Sequence, residues 1–264
     1  MGLAVMVLIS TLEVAQACTL SMGYRTNARP PLIEKHPNSD GLYSQLYQKA
    51  AERIGCQLKV VRKAKKVVLK MLREGQVDFY PGFNFTEKRS AFTFYMVNGL
   101  PGGDVGVSRD DLAEVTQLQQ LKGRTVLSAL GSPRFVKGVP GVREQRLPEL
   151  TTLKALKLLG KKRGDFFIYN RSTILYTIKQ NSLKGLKVHA DCCGGNKPLY
   201  LGFSRQSPHF KGVPNENYQA EQPLSVTNFP IQLVTTSVAY RFQQALAQLA
   251  EEGWTQILYG RHYQ

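Results

Sequence analysis

Residues 72–95, LREGQVDFYPGFNFTEKRSAFTFY, carry the reading of the fold. The stretch opens on the end of an amphipathic helix, because Val68, Leu69 and Leu72 share one face and Gly75 stops the pattern. Residues 77–80 follow as a strand. Upstream, residues 19–24 read as a strand, and after a Pro-rich loop Leu42, Leu46, Ala50 and Ile54 recur every four residues until Gly55 ends that helix. Residues 58–61 make a further strand. The order β-α-β-α-β predicts a parallel sheet with helical crossovers.

Downstream the pattern restarts. A Gly/Pro-rich break at 99–106 precedes a strand at 125–128, a helix at 150–159, a strand at 166–169, a helix at 172–180 and a strand at 186–189, a second α/β unit. Residues 199–203 read as one more strand, and Val238, Phe242, Ala245 and Leu249 mark a last helix that Gly253 ends. The segment 207–236, rich in Pro and Asn, carries no readable period.

With 42% hydrophobic and 20% charged residues over 264 positions, the chain is globular and long enough for two modest cores. It holds 35 Lys and Arg against 19 Asp and Glu, a net charge of +16, which favours encounter with anions. The basic residues are scattered along helices and loops with no aromatic-interleaved stripe, which speaks against nucleic acid. No G-x-S-x-G elbow, P-loop, dinucleotide glycine fingerprint or H-E-x-x-H occurs, so hydrolase and nucleotide chemistry lose their main support. His36, His189, His209 and His262 show no metal-ligand spacing with the cysteines, and no metal or other cofactor is expected.

Residues 1–17 combine a short apolar run with Ala15-Gln16-Ala17, the small-x-small pattern of a cleaved signal peptide, although no Lys or Arg precedes the run. Export implies an oxidising compartment, in which Cys18, before the first strand, and Cys56, before the second, are expected to pair. The adjacent Cys192 and Cys193 form either a strained vicinal disulfide or two free thiols. Cys18 directly after the cut also leaves a lipoprotein anchor open, though Ala15 stands where a lipobox prefers Leu or Val.

The opening stretch holds L-x-x-G-x-V-D-F at 72–79 and the T-x-x-R loop at 86–89, and five further stretches accompany it: LSMGYRTNARPPL at 20–32, LKGRTVLSALGS at 121–132, RGDFFIYN at 163–170, PLYLGFSR at 198–205 and ALAQLAEEGWTQILY at 245–259. In this order and spacing the chain resembles bacterial extracellular solute-binding family 3, the amino-acid type of periplasmic binding protein. The resemblance implies an α/β architecture of two Rossmann-like lobes joined by a two-stranded hinge, the type II periplasmic binding fold. Lobe 1 would span 18–104 plus 200–264 and lobe 2 105–199, the lobes closing on a ligand by a hinge motion. It further implies a monomeric, periplasmic, non-enzymatic protein that delivers an amino acid or related small carboxylate to the permease of an inner-membrane ABC transporter.

By the same match Arg89 grips the ligand carboxylate, for which a guanidinium fork is suited. Thr86 adds its hydroxyl and N–H, and Phe83 and Tyr24 are expected as aromatic walls. Gly131 and Ser132 are expected where a strand meets a helix, offering free backbone donors and the helix dipole to an anion. Where relatives carry an acid for the ligand ammonium, this chain has Asn170, which supplies no charge and puts an ordinary α-amino acid in question. Asp165 is a possible substitute, its place at a strand start favouring a structural role. Two other outcomes of the same fold are a sensory protein that docks on a receptor and an enzyme resembling cyclohexadienyl dehydratases.

Overall fold

The computed structural model describes residues 18–194 and 197–263, and the expected leader over 1–17 lies outside the described residues. The first unit comprises β1 (Cys18–Arg25), α1 (Leu42–Arg53), β2 (Cys56–Lys63), α2 (Lys65–Arg73), β3 (Phe79–Phe83), the single turn α3 (Glu87–Ser90) and β4 (Thr93–Gly102). The second comprises β5 (Asp104–Arg109), β6 (Thr125–Ala129), β7 (Arg143–Leu147), α4 (Thr152–Gly160), β8 (Phe166–Asn170), α5 (Arg171–Gln180) and β9 (Leu186–His189). The chain then continues through β10 (Lys197–Ser204), the short strands β11 (Gly212–Pro214) and β12 (Ile231–Leu233), α6 (Val238–Glu251) and α7 (Trp254–Tyr263).

Two five-stranded sheets result, ordered β2-β1-β3-β10-β4 and β7-β6-β8-β5-β9. In the first, β1 pairs parallel with β2 and β3; in the second, β6 pairs parallel with β7 and β8. One antiparallel strand is inserted at the same place in each: β10 between β3 and β4, and β5 between β8 and β9. The restart read from the sequence is therefore a repeat of topology. The break expected at 99–106 is instead continuous strand on either side of Gly103. Pro101 is tolerated because β4 is an edge strand, and its register partner is Pro198 near the start of β10.

Alternation with period two decides how the second sheet is covered. Val126, Phe166 and Ile168 face a cluster with Val115, Leu121, Val136 and Cys192, while Leu127 and Phe167 face α4 through Ala155, Leu156 and Leu159. Both faces are buried, as a sheet of parallel strands requires. In the first sheet Leu20, Met22, Phe79, Leu201 and Phe203 are wholly buried with Leu42, Leu46, Leu72 and Phe242 from the covering helices.

Cys18 and Cys56 are direct register partners on β1 and β2 and form a disulfide with a Cα–Cα separation of 4.4 Å. Cys192 and Cys193 are also bonded to each other. The unreadable segment contains the antiparallel pair β11–β12, and its intervening loop is closed by asparagines. The Asn228 side chain accepts from Gln219 N–H and donates to the carbonyls of Gln219, Gln222 and Pro223, and Asn215 donates to the Phe229 carbonyl. Side-chain bonds here replace the sheet ladder, so no hydrophobic period was available to read.

Asp78, only 5% exposed, joins the two halves of the first sheet. Its carboxylate accepts from Ser21 N–H (2.6 Å), Ser21 Oγ (2.7 Å) and Ser207 Oγ, while its carbonyl accepts from Ser204 N–H at 2.7 Å. Hydrogen bonds to a charged group contribute about 1.5–3 kcal/mol each. Asp78→Ala is expected to cost about 3 kcal/mol or more, lowering the melting temperature by about 6–12 °C. Thermal denaturation checks this, and Asp78→Asn, which keeps one acceptor, should lose less; an unchanged melting temperature for the alanine variant would refute the assignment.

Candidate functional site

The carboxyl ends of parallel strands are where α/β sheets collect ligand-binding groups, because each strand is followed there by a loop free to carry polar residues. In the first sheet this edge carries Arg25 at the end of β1 and Arg29 in the next loop, Lys65 at the start of α2, Phe83 at the end of β3, and Asn84 and Arg89 after it. A row of rings lies beneath them. Tyr24 and Tyr80 have centroids 5.2 Å apart, and Tyr80 stacks on Phe83 at 4.4 Å and 8°. Tyr43 meets Tyr24 edge-on at 5.8 Å, and its hydroxyl lies against Gly82, where any side chain would collide with it.

The cations rest on these rings. The Arg89 guanidinium lies 4.7 Å from the Phe83 ring centroid and donates to the Asn84 carbonyl at 3.2 Å. Arg25 sits 5.9 Å from the Tyr24 ring, and Arg29 is half-buried among Tyr24, Tyr43 and Tyr80. Burial holds the Tyr80 phenol above its ordinary range against the opposing pull of Arg25 and Arg29, so it is neutral at pH 7. Arg62 also lies beside Tyr24, but it is committed elsewhere: it donates to the carbonyls of Arg25, Thr26, Glu34 and Asn38 and fixes the loop before α1.

A second polar node holds β3 in place under this face. Tyr47 donates to the Pro81 carbonyl, and the fully buried Asn98 donates to Tyr47 Oη at 2.9 Å and to the same carbonyl at 3.2 Å. Beside it, both crossovers between the sheets border a cavity of about 320 Å³ lined by Asn84, Phe85, Gly103, Asp104, Gly194, Lys197, Pro198 and Tyr200. Burial raises the Asp104 carboxyl above its ordinary value, opposed by Lys197 and Arg29.

The residues singled out from sequence fall into three places. Arg89, Thr86, Phe83 and Tyr24 lie together on the first sheet's edge, but Phe83 (4% exposed) and Tyr24 (1%) are a floor beneath arginines and not open walls. Thr86 N–H donates to Tyr95 Oη at 3.3 Å, and its carbonyl accepts from Arg89 and Ser90. Gly131 and Ser132 line a different cavity, of about 430 Å³, at the carboxyl end of β6 with Thr151, Thr152 and Tyr169. No helix starts there: residues 131–142 form turns, because Pro133, Gly138, Pro140 and Gly141 interrupt any helical run, and Ser132 N–H is already donated to Ala129. The expected dipole contribution is therefore absent.

Asn170 caps α5, accepting from Thr173 N–H and Oγ1 while its amide reaches the Gly103 carbonyl at 3.5 Å. Asp165 accepts from Thr125 N–H and pairs with Arg109, a structural role. Sequence reasoning passed over Arg25, Arg29, Lys65, Asp104 and Lys197. The signal for the first three was their position just after predicted strands β1 and β2.

No family model matches this chain, and no curated protein matches it. Solved structures do. The L-cystine solute receptor of Neisseria gonorrhoeae, in its unliganded open conformation, superposes with a TM-score of 0.67 at 16% identity, over 94% of each chain. The fold is that of the type II periplasmic binding proteins. Substrate-binding domain 2 of Lactococcus lactis GlnP, also open, gives 0.65 at 14% identity over 94% of this chain and 96% of that one. The GluR0 ligand-binding core of Nostoc punctiforme, in complex with L-glutamate, gives 0.57 at 16% identity over 92% and 99%.

Because the Asn170 side chain is engaged in the cap, Asn170→Ala is expected to lower stability by about 1 kcal/mol. That corresponds to about 2–4 °C in melting temperature. Asn170→Asp, which preserves the acceptor, should restore most of it, and thermal denaturation of the two variants decides the point.

Proposed function

We propose that this protein is a periplasmic solute-binding protein that captures a small carboxylate-bearing molecule between lobes at 18–104 plus 200–264 and 105–199. It hands the ligand to the permease of an inner-membrane ABC transporter, after export through a leader at 1–17. The observation that carries the reading is Arg89: its guanidinium stands at the strand ends, held from below by the Phe83 ring, with no ion pair to any carboxylate among the described residues.

A ring face holds a guanidinium without consuming its N–H groups, so the fork stays free for a carboxylate. Thr86 stands beside it, and Asn84 lines the adjoining cavity. Tyr24 and Phe83 act as the supporting floor. On closure, Gly131, Ser132 and Asn170 would approach from the second sheet, whose carboxyl ends carry them. Three solved structures of the same fold are a solute receptor, a substrate-binding domain and a ligand-binding core, which supports a binding role.

The test is a thermal-shift screen against amino acids and small organic acids. A ligand at about 100 times its dissociation constant should stabilise the fold by about 2.7 kcal/mol. In the Arg89→Ala variant the affinity is expected to fall by about 2–5 kcal/mol, with the unliganded melting temperature little changed. Retained affinity in that variant would remove Arg89 from the site.

A further inference from the structure

Four cationic side chains from three separate chain segments converge on the face that holds Arg89. Arg25 and Arg29 come from β1 and its loop, Lys65 from the first turn of α2, and Arg89 from α3. Arg25, Arg89 and Arg29 all lie close enough to Lys65 to act on its charge; partial loss of water and then their repulsion hold its ammonium below the ordinary value. None of the four takes part in an ion pair among the described residues. Arg25 Nε is buried without a hydrogen-bond partner among the described residues. Asp104 is near enough to Arg29 to feel its charge, and Lys197 acts on it as well. Glu34, Asp40 and Glu87, the carboxyls on these loops, pair with none of them among the described residues.

Like charges gathered this way oppose folding unless something compensates them. The compensation inside the protein is aromatic: Phe83 holds Arg89, Tyr24 holds Arg25, and Tyr24, Tyr43 and Tyr80 surround Arg29. Rings steady the guanidinium planes but leave the positive charge in place. One monocarboxylate would answer only Arg89. An α-ammonium would add a further cation to the four.

We propose that the ligand carries two or more negative groups, one held by Arg89 and another by Arg25, Arg29 and Lys65, over the Tyr24–Tyr80–Phe83 row. This rests on the binding role argued above and specifies its ligand as a small polyanion, a di- or tricarboxylate or a phosphorylated compound of similar size.

The experiment is isothermal titration calorimetry of the intact protein with butyrate, succinate and tricarballylate, a series of one, two and three carboxylates. L-glutamine and L-arginine serve as zwitterionic and cationic probes, and pyrophosphate as a polyanion without carboxylate. The expected result is that the dianion or trianion binds about tenfold to a hundredfold more tightly than butyrate. Lys65→Gln and Arg25→Gln should each weaken the polyanion by about tenfold, leave butyrate within a factor of about two, and leave the unliganded melting temperature equal or higher.

Equal affinity across the carboxylate series, unchanged polyanion affinity in both variants, or tightest binding of glutamine or arginine would overturn the proposal. In that last case an Arg89-dependent affinity would leave the carboxylate-binding role intact. Binding of pyrophosphate without any carboxylate would uphold the polyanion and remove the carboxylate reading. Binding of none of the six would refute both.

Discussion

The buried carboxylate of Asp78 is the constraint on which the first lobe depends. It sits between β1 and the return strand β10, which lie far apart in sequence, and its side chain and main chain bond to both. A charged group taken out of water must have its lone pairs answered, and Ser21 and Ser207 answer them here. With β1, β3 and β10 fixed in this way, the loops leaving β1 and β3 start from determined points. The position of Arg89 over Phe83 is thus inherited from a polar contact at the opposite side of the strand.

The same lobe shows two solutions for arginine. Arg62 has no ion pair among the described residues, yet four carbonyls take up its donors and it serves the loop before α1. Arg89 and Arg25 lie against ring faces, and Arg29 lies among Tyr24, Tyr43 and Tyr80. Dense packing of Tyr43, Tyr24, Tyr80 and Phe83 holds that second group still, so a ligand would meet side chains already in place, and little ordering would be left to oppose binding. Gly82 is part of the same arrangement, since only a residue without a side chain lets the Tyr43 hydroxyl lie against β3.

Much of this architecture was legible in the sequence, and the parts that were not share a physical cause. The helices α1, α4 and α6 were readable because each buries one regular face, and β1, β2, β3, β6 and β8 as short apolar runs, whereas the parallel strand β7, REQRL, went unread because it is polar and half-exposed. The crossover strands β4 and β5 were hidden by Gly99, Pro101 and Gly103, residues an edge strand and a single connecting residue can accept. The loop 207–236 is ordered by asparagine side chains, which leave no period. At the candidate site, Arg89 stood out through T-x-x-R, whereas Arg29 and Lys65, although they follow predicted strands, come beside it only when three strand ends lie together. The Gly131–Ser132 expectation missed because proline and glycine downstream replace the helix by turns.

The two disulfides also differ in when they can form. Cys18 finds Cys56 within the first two strands, and Cys192 finds its partner in the next residue, so neither bridge spans the boundary between the sheets. Four cysteines allow three pairings, and the other two each need a cysteine from either half of the chain. For a polypeptide emerging amino end first, Cys56 is the earliest partner Cys18 meets, with more than a hundred residues (on the order of 130, by position) still to come before Cys192. The order of emergence and the native pairing coincide, so correct oxidation asks for no reshuffling between lobes.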